Sequence, residues 1–526
     1  MAYMDDLIKE AKAKRTQKTA SDEEETKKIE AGPVQLKPDE SGEYLITGPK
    51  TLIKQYGDAR IYKVEGEPLI VYATSVVKPK GPEKSVVETV KEAATRLINI
   101  SAEEFRSAES REKYYFERVR EIIQSSPELG VAASKIDFYA RMVVREMIGY
   151  GVIDALTHDD QLEEIMVLGP TKPVYVFHRE YGMLKTNIMF GDDEEIKNII
   201  DRIARDVGRR VDNQSPMLDA RLPDGSRVNA TIKPISIEGA TLTIRKFREE
   251  PFSITDLINC GTIDTTFAAF LWTSVDGLGA KPANILISGG TGSGKTTTLN
   301  VCASLIPDRE RIISIEDTAE LNLPIKHWIR FETRPPGIEG TGEISMDVLV
   351  KNSLRMRPDR LIVGEIRHVE AFTLFTAMNT GHDGCLGTVH ANSAEETTAR
   401  LMNPPMSVPG VMLKGLDYII IQNRIHDKKR GTIRRVVEVS EITGVEGDRV
   451  GLQTIFQWDP TTDSVKSTSM PSVYLQKLQR YTGMSRANID EEIKRRKAFL
   501  DSLVKKKITK MNDVKKEVDK FLAGSV

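Results

Sequence analysis

Hydrophobic positions change their period several times along the chain, and each change marks a different kind of element. Residues 1 to about 40 hold charge blocks, KAKR and then DEEETKK, with few apolar positions and with Pro33 and Pro38 close behind. Such a segment buries too little apolar surface to offset its ordering entropy, so it reads as a flexible arm or as a helix that orders on a partner. From Tyr44 to Val77 the runs YLITG, ARIYKV and PLIVYATSVV, separated by glycine and proline, predict a small strand-rich module. Between about 84 and 150 apolar residues recur three and four apart in VVETVKEAATRLINI, EKYYFERVREIIQ and IDFYARMVVREMIGYGVIDAL. That spacing predicts antiparallel helices packed on one another.

Residues 162 to about 250 alternate strands of period two with one amphipathic helix, DEEIKNIIDRIARDVGRR, and end in the hairpin RLPDGSRV and the strand ATLTIRKF. A linker near Glu249 leads into a segment where the apolar runs NILISG, RIISIED and DRLIVGE alternate with helical stretches, as a parallel sheet requires. After about 470 the chain turns helical and basic; this face suits a membrane protein or anionic lipid, and equally a plain solvated surface. The expected fold class is α/β, with five regions. These are a flexible charged arm (1–40), a strand-rich then helical N-terminal region (41–150), a small α/β domain contributing arginines (151–250), a larger α/β domain (255–470) and a basic helical extension (471–526).

The chain has 526 residues, 40% apolar and 29% charged, which excludes collagenous and wholly disordered classes. Lysine plus arginine (75) against aspartate plus glutamate (77) leaves a formal charge of -2, and only 6% of residues are aromatic. Nothing global therefore argues for a nucleic-acid partner. Cys260, Cys302 and Cys385 lie far apart with no CxxC pair, which excludes the common zinc and dithiol patterns and fits a reducing compartment. The N-terminus lacks the apolar core of a secretory signal, and no run reaches the ~18 apolar residues of a membrane span. The chain is expected in the cytoplasm, with any membrane contact peripheral.

Gly289 to Thr296 reads GGTGSGKT, matching GxxxxGK[ST], directly after the apolar run 284–287 and before the helix-compatible TTTLNVCASL. Glycines at 289, 290, 292 and 294 let successive backbone N–H groups face an anion, and the following helix adds its positive end. Lys295 is placed to reach the outer phosphates and Thr296 to offer a hydroxyl to magnesium. The candidate nucleotide contacts are Gly289, Gly290, Thr291, Gly292, Ser293, Gly294, Lys295, Thr296 and Thr297.

About seventy residues on, DRLIVGE ends an apolar strand in Glu365, the candidate metal-organising acid, preceded by Gly364 where an aspartate is usual. RIISIEDTAEL ends another strand in Glu316 and Asp317, so a second carboxylate pair projects at the same sheet edge. Which of Glu316 and Glu365 is the base toward the attacking water stays open at this point. In TGHDGCLGTVHAN, His382 and His390 flank a strand-like core, an arrangement that suits a γ-phosphate sensor, or an element that tells domains which nucleotide is bound, better than a metal site.

Together GGTGSGKTTTLN, SIEDTAEL, RMRPDRLIVGEIRH and TGHDGCLGTVHANSA resemble the Walker A, Asp box, Walker B and His box of the type II/type IV secretion ATPases, over roughly residues 150 to 450. RLPDGSRVNATI, FTAMNTGHDGCLGT and LMNPPMSVPGVMLKGLDYIIIQNR are most similar to the archaeal branch, in particular the motor ATPases of the archaellum. The bacterial assembly ATPases usually carry a four-cysteine zinc insertion, whereas this chain has only Cys385 beyond Cys302, which also favours the archaeal branch. The resemblance implies a homohexamer of subunits in which ATP with Mg2+ sits between a RecA-like P-loop domain and a smaller PAS-like domain that follows an N-terminal helical region. It implies that Glu316 is the Asp-box acid, Glu365 the Walker B acid, and His382 and His390 the His-box pair. It also implies that Arg221, Arg227 and Arg245 reach toward nucleotide. The partners implied are an integral membrane platform protein and accessory cytoplasmic motor proteins, at the inner face of the cell membrane, with no nucleic acid.

The expected function is thus an ATP-hydrolysing hexameric motor that assembles a surface filament, with rotation as a further output. An adhesive pilus or a type II-like secretion system is the alternative machine. A nucleic-acid translocase would call for a basic groove with stacking aromatics, a GTPase for an NKxD motif that is absent here, and a scaffold would not retain all the acidic and phosphate-binding positions together.

Overall fold

The computed structural model describes residues 49–74, 82–98, 108–247, 250–336, 341–427, 430–447 and 449–524. The 1–40 arm lies outside them. The chain divides into two compact units, Met1–Lys246 and Phe247–Val526.

In the first unit nine strands form one sheet. They are β1 (Lys50–Tyr56), β2 (Ala59–Val64), β3 (Val71–Ala73), β4 (Leu162–Val167), β5 (Pro173–His178), β6 (Gly182–Met189), β7 (Met217–Arg221), β8 (Arg227–Thr231) and β9 (Thr241–Arg245), in the order β1-β2-β3-β6-β5-β4-β9-β8-β7. The strand-rich module and the small α/β region share this sheet because β3 pairs in parallel with β6, while the other ladders are antiparallel. Side chains seal the join: Tyr56 and Tyr72 both donate from Oη to Asp159 Oδ2, at 2.9 and 2.6 Å. The helix Asp193–Asp206 forms as its pattern predicts. Ile196, Ile199, Ile200 and Ile203 bury one stripe, and the Asp192 side chain caps it by accepting from the Glu195 N–H. The helices Pro82–Leu97, Ala108–Gln124 and Ile136–Met147 close over a separate core that includes Val90, Ala94, Val119, Ile123 and Val143.

In the second unit the strands are β10 (Ile285–Ser288), β11 (Ile312–Glu316), β12 (Trp328–Glu332), β13 (Arg360–Ile366), β14 (Leu386–Val389), β15 (Tyr418–Asp427), β16 (Gly431–Glu446), β17 (Arg449–Asp459) and β18 (Ser464–Ser467). Their order is β12-β11-β13-β14-β10-β15-β16-β17-β18, parallel as far as β15 and antiparallel beyond it. The inner parallel strands β10, β11, β13 and β14 are buried on both faces, which explains their apolar runs, whereas the edge strand β12 is part-exposed. Ile285 and Ile287 face a core shared with Phe267 and Trp272 of the helix Thr265–Asp276, whereas Leu286 faces one shared with Val350, Leu374 and Phe375.

The basic C-terminal helices Arg486–Lys505 and Met511–Ala523 belong to the first of these two cores through Leu500, Leu503, Val514 and Val518. Arg496, 2% exposed, holds Asp276 at 2.7 Å from within that core. The charge of this region therefore coats an integral layer of the unit.

Candidate functional site

Strand β10 ends at Ser288, and the chain then turns through Gly289–Gly294 into the helix Lys295–Ser304. Three glycines are obligatory. Gly292 and Gly294 have φ of +70° and +94°, where a side chain is strained, and a β-carbon at Gly289 would meet the Gln422 carbonyl oxygen at 2.1 Å. At Gly290 a β-carbon would meet only Asn392 Oδ1, at 3.4 Å. Lys295 folds into the loop and donates from Nζ to the carbonyls of Gly289 at 2.8 Å and Gly290 at 3.0 Å. Thr296 and Thr297 occupy the first turn of the helix, half-buried, with the helix's positive end beneath them.

Between β10 and β13 lies β14, so the ends of β11, β13, β14 and β10 open on one edge of the sheet, where a doubly wound sheet offers its crevice. Glu316, 2% exposed, closes β11. Its Oε1 accepts from the backbone N–H groups of Glu320 at 2.9 Å and Leu321 at 3.0 Å, and its Oε2 is buried without a hydrogen-bond partner among the described residues. Burial pushes this carboxyl up to about 7 against the pull of those two amides and of Arg330. Glu365 behaves oppositely. Burial would raise it, but the hydrogen bond from Arg367 Nη2 to Oε2 at 2.7 Å and the charge of Arg367, with Lys295 and His390 acting in the same sense, hold it below the ordinary glutamate value. Arg367 also faces Asp317, with Nη1 4.0 Å from Oδ2, and so lies between the carboxylates of both strand ends.

The two histidines part company. His390 follows β14 and its Nε2 lies 3.0 Å from Thr291 Oγ1 of the phosphate loop. His382 precedes β14, and Leu386 pairs with Ile285 at the start of β10 whereas Val389 pairs with Ser288 at its end. His382 thus sits off the opposite edge, separated from His390 by roughly 13 Å of strand. Residues on either side of a full strand cannot share one edge.

Arg221, Arg227 and Arg245 belong to the first unit and fall into one row. Arg221 pairs with Arg227 across β7 and β8, Arg227 with Arg245 across β8 and β9, and the row ends on Glu164 of β4. Directly opposed residues share a face and lie ~5 Å apart between β-carbons, so the three arginines line one face of the sheet.

Residues 148–483 match the family model for type II/IV secretion system proteins. The chain belongs to this family. The Methanocaldococcus jannaschii protein MJ0781 is 52% identical over 275 residues, a stretch of 52% of this chain and 38% of that protein, so the chain spans well under two thirds of its length. MJ0900 of the same organism is 34% identical over 428 residues, 80% of this chain and 76% of that protein. The type IV secretion system protein VirB11 of Bartonella quintana is 29% identical over 325 residues, 53% of this chain and 89% of that protein.

In this secretion-family chain the phosphate loop is braced by residues that the motifs alone do not single out. Gln422 of β15 donates from Nε2 to the Ser293 carbonyl at 2.9 Å and accepts from Thr298 Oγ1 at 2.6 Å. Arg434 of β16 donates from Nε to the Gly292 carbonyl at 2.9 Å. The signal for them is where the apolar run YIII of β15 breaks into QNR. The donor set at the edge, a threonine hydroxyl and an ionised glutamate, is of hard oxygens and fits magnesium, which takes its other ligands from phosphates and water.

Proposed function

We propose that this chain hydrolyses ATP and works as a homohexameric motor that assembles an archaeal surface filament through an integral membrane platform protein. Family membership and archaeal relatives support the reading. The observation that carries it is the gathering, on one sheet edge, of the loop-bound Lys295, the Arg367-held Glu365 and the buried Glu316 with its unpartnered Oε2. Loop amides and Lys295 bind the phosphates. Glu316, the carboxyl poised near neutrality, accepts the proton of the attacking water at Oε2, while Glu365 stays ionised. Thr296 and Glu365 would hold Mg2+, which when bound neutralises phosphate charge. His390 reports on the nucleotide through Thr291.

Arg221, Arg227 and Arg245 are proposed as the cations that stabilise charge on the nucleotide as hydrolysis proceeds. The working site is the inner face of the cell membrane, with accessory cytoplasmic motor proteins as further partners. Lys295→Ala placed in the organism's own gene tests the machine: loss of swimming filaments with other pili intact is expected. Intact swimming with loss of thin pili or exported proteins contradicts the filament assignment and points to a pilus or secretion system.

A further inference from the structure

The antiparallel pair β15–β16 leaves the parallel sheet beside the phosphate loop and carries two arginines directly opposite each other, Arg424 on β15 and Arg434 on β16. Like charges in opposed positions of an antiparallel ladder destabilise it. The two groups are also aimed at the same place. Arg434 donates to the Gly292 carbonyl at the tip of the loop, and a β-carbon at Gly292 would lie 3.2 Å from Arg424 Nη1. Gln422, two residues before Arg424 and on the same face of β15, reaches the next loop carbonyl, that of Ser293. Two further arginines of this hairpin meet one carboxylate. Arg435 turns to the opposite face and is held by Asp463 at 2.8 Å, and Arg430 meets the same carboxylate at 2.7 Å. Among the described residues, Arg424 pairs with no carboxylate. Two cations side by side at Gly292 concentrate positive charge on this turn of the loop, where a bidentate guanidinium suits a phosphate.

We infer that Arg424 and Arg434 form a clamp for the phosphate chain of the nucleotide at the Gly292 turn of the loop, while Lys295 stands at Gly289 and Gly290. The inference rests on the nucleotide reading given above and adds two phosphate contacts outside the four sequence motifs. Gly292 is a glycine for two reasons on this view: its positive φ, and the space the Arg424 guanidinium occupies.

Calorimetric titration of the full chain with Mg-ATP, and separately with inorganic tripolyphosphate, tests it in wild type, Lys295→Ala, Arg424→Gln and Arg424→Gln/Arg434→Gln. The double variant is expected to lose about tenfold or more in affinity for both ligands, in keeping with charge-assisted bidentate contacts, with an unchanged thermal midpoint. Arg424→Gln, which leaves the Arg434 brace on Gly292 in place, is expected to lose several-fold for both. Binding abolished by Lys295→Ala but kept at wild-type strength in the arginine variants overturns the clamp alone. Weakened ATP binding with unchanged tripolyphosphate binding also overturns it, because the arginines would then read the nucleoside. A wild-type chain that binds neither ligand brings down the nucleotide reading and the clamp with it.

Discussion

A β-carbon on Gly364 would stand 2.9 Å from Cγ and 3.3 Å from Cβ of Glu316. Gly364 lies within β13 and Glu316 ends the neighbouring β11, so the Glu316 side chain leans across the adjacent strand at a residue without a side chain. This accounts for glycine before Glu365: a larger residue would push away the other acid. Gly364→Ala is expected to cost about 1–3 kcal/mol through overpacking. It should cut hydrolysis by about tenfold or more with little change in ATP affinity, a transition-state loss read from kcat against KM.

Glu316 sets a pH dependence. Its carboxyl, moved by burial from an ordinary 4.5 to about 7, binds a proton more tightly folded than unfolded. The folded state gains from this in full below about pH 4.5 and loses it as pH rises to about 7, a total of roughly 3 kcal/mol. Urea unfolding across this range should show stability falling with pH in wild type relative to Glu316→Gln, in which no carboxyl titrates. Hydrolysis should rise over the same range and level off above about pH 7, as a base that must lose its proton requires.

Arg367 was not among the residues the motifs nominated, yet its guanidinium lies between Glu365 and Asp317. Arg367→Gln is expected to lower kcat by about tenfold while ATP affinity changes little, since the residue holds the two carboxylates in place. Steady-state kinetics with a parallel binding titration checks this.

Arg496 and Asp276 are 2% and 3% exposed and face each other at 2.7 Å under the Trp272 ring. Breaking one side leaves a buried charge, so Arg496→Met should destabilise the second unit by about 3–5 kcal/mol. Adding Asp276→Asn should recover much of that. Thermal unfolding of the single and double variants measures the difference.

The phosphate loop was legible because its chemistry is local: eight consecutive residues carry the motif, and strand and helix signals flank it. The ends of β11 and β13 were legible because apolar runs stop at carboxylates. Register was not legible. The arginine row through Arg221, Arg227 and Arg245, and the opposition of Arg424 to Arg434, depend on which residues face each other across a ladder, and that is settled by turn length and by bulges such as the one at Ile421 and Gln422, which the apolar pattern does not mark. The separation of His382 from His390 was not legible either, since their nearness in sequence hides the strand between them. The C-terminal helices read as a basic extension because Leu500, Leu503, Val514 and Val518 are sparse among lysines and arginines, though they suffice for one buried stripe.

The most direct test of the account is phosphate release by the purified full chain with Mg-ATP, comparing wild type with Lys295→Ala and Glu316→Gln, alongside ATP binding by each. The account predicts turnover in wild type, loss of both binding and turnover in Lys295→Ala, and ATP binding without turnover in Glu316→Gln. Undiminished hydrolysis in Glu316→Gln, or a wild-type chain that binds ATP and never hydrolyses it, would contradict it.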